Sequence, residues 1–207
     1  MVSLNQTHIL FRILNKLTNV FYDLFYQGKI LEDIVPRKHI KFGKSTLHPP
    51  HSTSYFVLNQ ITKGNISKEI GFEMYNNFYD IGSGYGRVLL YFNRFFQKQA
   101  LNYSLYGLEL QEDIFLRCKK NTKEENLEII NANALNFVFK SNSIVFLFNP
   151  FDRSTLEAFV GNIKSSNKRI CVVFWGHNKF EYFPQNESKL FKISKIHSCL
   201  IWKNEIK

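Results

Sequence analysis

From Tyr75 onward, short apolar runs alternate with amphipathic stretches, and this alternation constrains the fold more than any other feature of the sequence. Each apolar run is as long as a strand, and each amphipathic stretch has helical spacing. We predict strands at Asn77–Ile81, Ser104–Leu108, Leu127–Ile130, Ile144–Phe148 and Ile170–Trp175, and helices at Gly86–Gln97, Glu112–Asn121 and Ser154–Ile163. Strands that are apolar throughout and alternate with helices predict a parallel sheet covered on both faces.

The segments on either side of this alternation have different patterns. An N-terminal stripe at steps of four and three predicts a helix from about Leu4 to Tyr26, and its members are Leu10, Leu14, Leu17, Phe21 and Leu24. We expect this face to dock on the chain's own core, with a partner helix or a membrane surface as alternatives. Ser52, Thr53 and Ser54 are N-cap candidates for a helix at Tyr55–Ile61.

The C-terminal stretch Leu190–Ile206 has β-branched and aromatic residues at near-alternate positions, which predicts one or two closing strands. The predicted fold class is therefore α/β, with a doubly wound, mostly parallel sheet, a C-terminal antiparallel strand or hairpin, and an N-terminal helical extension. We assign residues 1–50 to the extension and its connector, and residues 51–207 to the sheet domain.

Composition excludes several classes of protein. Hydrophobic residues make up 44% of the chain, which is enough for a sizeable core, and no run approaches the ~20 apolar residues of a membrane span. No signal-peptide pattern is present, and three scattered cysteines indicate a reducing compartment, so we expect a cytoplasmic protein. The net charge of +10 favours an anionic partner, but a Lys-rich, Ala-poor composition is also typical of an AT-rich genome. His48 and His51 flank two prolines without a further ligand, so no metal is expected.

A glycine loop, Asp80-Ile-Gly-Ser-Gly-Tyr-Gly-Arg87, follows the first predicted strand and opens a helix. Gly82 and Gly84 allow a tight turn and a close approach to a ligand, and Gly86 allows the helix to pack closely. The G-x-G-x-G spacing differs from that of nicotinamide enzymes, and no Lys-Ser/Thr follows, which excludes a P-loop. Glu109 ends the next strand, where a carboxylate can accept both hydroxyls of a ribose.

The segments Asp80–Arg87 and Gly107–Glu109 resemble the class I S-adenosylmethionine-dependent methyltransferases. The resemblance implies that Asp80 orients the amino group of the cofactor and that Glu109 holds its ribose. It implies that the loop faces the methionine part of S-adenosylmethionine, through Gly82, Ser83, Gly84 and Gly86. At Asn131–Ala134 the family often has an Asp-Ala or Asn-Ala pair, which implies that Asn133 and Ala134 contact adenine.

The fourth predicted strand ends in Phe148-Asn-Pro-Phe-Asp152, where methyltransferases acting on amino nitrogens often have Asn/Asp-Pro-Pro-aromatic. The resemblance implies that Asn149 and a prolyl carbonyl accept hydrogen bonds from the target nitrogen, and that an aromatic ring covers the target. It makes Asn149, Pro150 and Phe151 the candidate catalytic residues, although this chain has one proline where the family has two. The turn is also similar to that of seven-strand lysine methyltransferases. It is most similar to that of poorly described bacterial methyltransferases with an Asn-Pro-Phe turn.

The predicted function is methyl transfer from S-adenosylmethionine to a nitrogen on a protein side chain or a nucleic-acid base, with a small-molecule acceptor less favoured. One alternative is a catalytically silent binding module of the same fold, acting through protein or nucleic-acid partners. Another is a nicotinamide-dependent oxidoreductase, against which the glycine spacing and the Asn-Pro-Phe turn both argue. His177 follows the fifth strand, and we interpret it as a solvent-facing loop residue.

Overall fold

The computed structural model describes residues 16–25, 40–42, 45–47, 53–123, 125, 127–176, 179–193 and 197–205. Residues 16–25 are helical and are called α1. The other helices are α2 (Tyr55–Ile61), α3 (Gly64–Ile70), α4 (Arg87–Lys98), α5 (Glu112–Asn121) and α6 (Arg153–Ser165). The strands are β1 (Ile40–Phe42), β2 (Ser45–Leu47), β3 (Asn77–Ile81), β4 (Ser104–Glu109), β5 (Leu127–Asn131), β6 (Ser143–Phe148), β7 (Ile170–Gly176), β8 (Ser188–Lys192) and β9 (Ser198–Asn204).

Seven of these strands form one sheet in the order β5-β4-β3-β6-β7-β9-β8, and β1 pairs with β2 separately. The five strands from β3 to β7 run parallel, whereas β9 is antiparallel to both β7 and β8. Each predicted strand and helix from Tyr55 onward matches an observed element to within two residues at either end. The predicted fold class is confirmed, and the predicted tail is an antiparallel hairpin whose second strand inserts beside β7.

Both faces of β3, β4, β6 and β7 are buried, because side chains alternate between two aromatic-rich cores. Phe78 packs on Phe92 of α4, with ring centroids 4.3 Å apart. The next residue, Tyr79, stacks on Tyr106 of β4 on the opposite face, with centroids 4.6 Å apart. α2, α3 and α4 cover the first core, and α6 covers the second. This arrangement explains why Phe78, Tyr79 and Ile81 of β3 are all hydrophobic, with Asp80 as the charged exception among the buried residues of the strand.

The prediction that the apolar face of α1 docks on the core of the chain is wrong. Leu17, Phe21 and Leu24 are 60%, 63% and 51% exposed, whereas Asn19 and Asp23 face the domain and are buried. Leu10 and Leu14 lie outside the described residues, as does the predicted domain boundary at residue 50.

Polar partners on the domain explain the orientation of α1. Asn19 Oδ1 accepts a hydrogen bond from the Tyr55 backbone N–H, at 3.2 Å. Asp23 accepts hydrogen bonds from Arg87 Nε at 2.8 Å and from the Tyr55 hydroxyl at 3.0 Å. α1 is therefore held to the domain by hydrogen bonds and an ion pair at its polar face.

None of the helices in the described ranges is long and apolar enough to cross a membrane.

Candidate cofactor and reaction site

The glycine loop leaves the carboxyl end of β3 in a conformation that favours glycine. Gly82, Gly84 and Gly86 have φ values of 72°, 54° and 92°, all in the left-handed region. The backbone N–H groups of Gly82 and Ser83 both donate to the Leu108 carbonyl, at 2.8 and 3.0 Å. The loop is thereby fastened to the end of β4, and α4 begins directly after it.

Two glycines allow this loop to lie close to its neighbours. A Cβ on Gly86 would stand 2.9 Å from Thr122 Cγ2 and 3.2 Å from Cys118 Sγ, both at the C-terminal end of α5. A Cβ on Gly107, in the middle of β4, would stand 2.6 Å from Leu89 Cδ1 and 3.0 Å from the side chain of Ser83. The predicted close packing at Gly86 is confirmed, and Gly107 has a similar role that the sequence prediction did not include.

Asp80 and Glu109 lie at the carboxyl ends of the adjacent parallel strands β3 and β4, and they are only 3% and 6% exposed. Glu109 Oε2 accepts a hydrogen bond from the Gly84 N–H at 3.1 Å, and Oε1 accepts one from the Gln111 N–H at 3.0 Å. Asp80 Oδ2 is buried and has no hydrogen-bond partner within the part of the chain that the structure describes. A buried carboxylate oxygen without a partner is rare, and it is the feature expected where a ligand supplies the donor.

Burial controls the protonation of both carboxyl groups. Loss of water raises the pKa of Asp80 well above its usual value, and the nearby Glu109 carboxylate raises it further. Burial also raises the pKa of Glu109, while the backbone donors of Gln111 and Gly84 oppose that shift. The electrostatics therefore favour a cationic or hydroxyl-bearing ligand between these groups. An amino group could satisfy Asp80, and a diol could share the remaining lone pairs of Glu109.

The predicted adenine-binding pair lies just beyond β5. Asn133 is exposed, and its Oδ1 accepts a hydrogen bond from the Leu135 N–H at 3.0 Å, which closes a local turn. Ala134 is 8% exposed and packs in the second core. Asn131, to which the sequence analysis gave no separate role, donates to the Glu109 carbonyl at 2.8 Å and so fixes the end of β5 to the end of β4.

The Asn-Pro-Phe turn, residues 149–151, follows β6, which is the other neighbour of β3 in the sheet. A Cβ on Gly82 would lie 3.4 Å from Pro150 Cβ, so the turn is in contact distance of the glycine loop. Asn149 has a φ of 45°, a conformation that asparagine tolerates better than most residues. The structure thus brings the predicted reaction turn and the predicted cofactor loop together at the carboxyl ends of the central strands. This is the point where the strand order reverses.

Lys179 is a residue of this site that the sequence analysis missed. Its Nζ donates to Asn149 Oδ1 at 2.9 Å and to the Phe151 carbonyl at 2.6 Å. Burial lowers the pKa of Lys179, and the nearby Asp152 carboxylate opposes that shift. Lys179 is 30 residues from Asn149 in the sequence, and nothing in the local pattern around it marks it as a functional residue.

The ring of Phe151 points toward α6, where it packs on Phe159 at a centroid distance of 5.3 Å and is half-buried. His48, His51 and His177 lie outside the described residues. Within the described ranges, no group of three His, Cys, Asp or Glu side chains could hold a metal ion.

No protein-family model and no curated protein matches this chain by sequence. Comparison with solved structures finds an RNA methyltransferase from Salinibacter ruber, solved with S-adenosylhomocysteine. The two chains are 14% identical over 76% of this chain and 95% of that one, with a TM-score of 0.56. The methyltransferase candidate YhhF from Escherichia coli is 17% identical over 79% of this chain and 93% of that one, with a TM-score of 0.54. The fold of this chain is therefore that of the class I methyltransferases.

Proposed function

We propose that this chain binds S-adenosylmethionine between the glycine loop and Glu109, and transfers its methyl group to a nitrogen acceptor held at the Asn-Pro-Phe turn. The observation that carries the proposal is the unpartnered, buried Oδ2 of Asp80 beside a loop of three left-handed glycines. The likeness in fold to a methyltransferase that holds S-adenosylhomocysteine supports the choice of cofactor.

The residues present fit this cofactor. Asp80 would accept a hydrogen bond from the amino group, and the loop of Gly82, Ser83, Gly84 and Gly86 would face the methionine part. The Gly84 and Gln111 N–H groups donate to Oε2 and Oε1 of Glu109, and the carboxylate has further lone pairs that could accept from ribose hydroxyls. Asn133 and Ala134 are the proposed contacts for adenine. When bound, the cofactor supplies a methyl carbon already activated by a positively charged sulfur.

Because the methyl group is activated in advance, the task of the protein is alignment. Asn149 would aim the acceptor nitrogen through a hydrogen bond to its Oδ1, and Pro150 restricts the backbone beside the glycine loop. Phe151 contributes its carbonyl oxygen to the same edge, while its ring packs inward on Phe159. Holding two reactants in the correct geometry can contribute roughly 7–11 kcal/mol toward a barrier.

Two observations favour a macromolecular acceptor, either a nucleic-acid base or a protein side chain. The chain carries a net charge of +10, which attracts polyanions and acidic proteins. The Salinibacter ruber neighbour is described as an RNA methyltransferase.

Ligand binding tests the first half of the proposal. S-adenosylmethionine and S-adenosylhomocysteine should raise the melting temperature, since ligand at 100 times its Kd stabilises a protein by about 2.7 kcal/mol. NAD should leave the melting temperature unchanged. Stabilisation by NAD alone would instead support an oxidoreductase.

Methyl transfer tests the second half. The protein is incubated with a cell extract and methyl-labelled cofactor, and the label is followed into protein, RNA, DNA and small molecules. Asn149→Gly removes the amide without straining a positive φ, and it should abolish transfer while cofactor binding persists. Asn142→Gly is the matched control, because Asn142 also has a positive φ, of 54°, and lies in an exposed loop before β6. Unchanged transfer by Asn149→Gly would refute the reaction-site assignment, and binding without any transfer would support a silent module.

A further inference from the structure

The Asn-Pro-Phe turn already holds an amine. The Nζ atom of Lys179 lies 2.9 Å from Asn149 Oδ1 and 2.6 Å from the Phe151 carbonyl oxygen. Asn149 Oδ1 is the atom proposed to receive the N–H of a substrate, and the Phe151 carbonyl faces the same nitrogen. In both contacts the lysine nitrogen is the donor and an oxygen of the turn is the acceptor.

The two contacts define the direction of the nitrogen lone pair. A neutral amine has two hydrogens and one lone pair, and in the neutral form of Lys179 these two contacts would direct both hydrogens to oxygens of the turn. The lone pair of Lys179 then points away from Asn149 and Phe151. This is the arrangement that a methyl-accepting nitrogen needs, since its lone pair must face the methyl carbon rather than the turn.

Burial shifts the protonation equilibrium of Lys179 toward the neutral amine, and the turn that holds it lies near the proposed cofactor loop. Lys179 is half-buried, and this loss of water lowers its pKa, although Asp152 nearby has the opposite effect. The turn that holds Lys179 also approaches the glycine loop, with Pro150 Cβ only 3.4 Å from where a Cβ of Gly82 would be.

We propose that Lys179 is a methyl acceptor of this chain's own site, so that the protein methylates itself when no substrate amine displaces the lysine from the turn. This inference rests on the proposed function. In the step, the Lys179 nitrogen first loses a proton to solvent, and its lone pair then forms a bond to the methyl carbon. The carbon–sulfur bond breaks, its electron pair stays on sulfur, and the products are N-methyl-lysine and S-adenosylhomocysteine.

The same hydrogen bonds limit the number of methyl groups. Monomethyl-lysine in its charged form retains two N–H donors, which is enough for both oxygens of the turn. Dimethyl-lysine retains one donor and would leave one oxygen without its partner. The expected product is therefore monomethyl-lysine.

The main experiment incubates the purified full chain with S-adenosylmethionine and no substrate, followed by intact mass measurement and peptide mapping. The mass should rise by one methyl group, located at Lys179. Lys179→Gln should abolish this gain, with a thermal melt to confirm that the variant folds. Lys168→Gln is the matched control. Lys168 also donates to a backbone carbonyl, that of Phe139, but it lies just before β7, at the amino ends of the parallel strands.

A second measurement needs no cofactor. Competitive acetylation of lysines as a function of pH should show that Lys179 becomes reactive below the usual pH range of a lysine, and Asn149→Gly should change this profile. Lysine titration in the ordinary range would contradict the proposed state of the amine.

The outcomes separate this inference from the proposed function. If S-adenosylmethionine stabilises the protein but Lys179 gains no methyl group, self-methylation is refuted and the cofactor assignment stands. If the label spreads over surface lysines and Lys179→Gln does not change it, self-methylation at the turn is also refuted. If S-adenosylmethionine does not bind, both proposals fail.

Discussion

Replacing Asp23 by alanine should destabilise the protein strongly, although Asp23 belongs to a helix outside the sheet. The Asp23 and Arg87 side chains are 0% and 1% exposed, and they join through Nε–Oδ1 and Nη2–Oδ2 contacts of 2.8 and 2.5 Å. The alanine variant would remove the Asp23 carboxylate from the buried Arg87 guanidinium. Arg87 is also the first residue of α4, directly after the glycine loop.

The expected magnitude follows from the burial of the pair. Removing one partner of a buried ion pair costs about 3–5 kcal/mol, because the remaining charge stays out of water. In a domain of this size, a loss of 1 kcal/mol lowers the melting temperature by roughly 2–4 °C, so we expect a decrease of about 6–20 °C. Leu17→Ala, on the exposed face of the same helix, should change stability by less than about 0.5 kcal/mol.

Urea denaturation of the two single variants, and of Asp23→Leu combined with Arg87→Met, tests this reasoning. The double variant replaces both charges by apolar groups, and it should recover much of the stability lost in Asp23→Ala. An Asp23→Ala loss no larger than that of Leu17→Ala would show that α1 is not docked through its polar face. A double variant as unstable as the single one would show that the penalty does not come from burying the Arg87 charge without the Asp23 carboxylate.

Two further predictions concern the cofactor loop. The raised pKa of Asp80 means that the folded state holds the Asp80 proton more tightly than the unfolded state does. The stability that this proton contributes is complete below the unfolded pKa of about 3.9, and it is lost as the pH rises through the folded pKa. Asp80→Asn should therefore increase the free energy of unfolding at pH 7 without ligand, flatten the pH dependence of that free energy, and weaken S-adenosylmethionine binding. Urea titrations at several pH values would measure stability, and calorimetry would measure binding. A variant that is less stable than the original protein without ligand would contradict the prediction. Gly86→Ala should lower stability by at least roughly 1–2 kcal/mol, since φ is 92° and the new Cβ would stand 2.9 Å from Thr122. Gly161→Ala, in open space within α6, should stabilise by about 0.5–1 kcal/mol in the same denaturation assay, and equal effects of the two substitutions would refute the argument from φ and packing.

Local sequence patterns predicted the sheet well because its central strands β3, β4, β6 and β7 are buried on both faces. Asn77–Ile81 and Glu112–Asn121 were predicted with their observed bounds, since continuous apolar runs and amphipathic spacing each have one common structural interpretation. The proximity of Asp80 and Glu109 was also predictable, because both residues end parallel strands that a single crossover makes neighbours.

The predictions failed where the deciding partner is distant in sequence. The apolar stripe of α1 indicated one face, but Arg87 and Tyr55 supply hydrogen bonds that direct the Asp23 face inward. Lys179 was missed for the same reason, since its contacts with the Asn149 turn depend on two loops that meet at the edge of the sheet. Hydrophobic periodicity does not contain information about such polar contacts.

The position of β9 has a consequence for how the chain assembles during synthesis. β8 precedes β9 along the chain but bonds with β9 alone among the described strands, and β9 separates it from β7. A nascent chain that has emerged from the ribosome only as far as β8 therefore has a parallel sheet with an open edge at β7 and a strand that cannot yet join it. When β9 pairs with seven residues of β7, it covers that edge and at the same time provides the strand with which β8 pairs. We expect stalled chains that end before Ser198 to expose the β7 edge to chaperones or to one another.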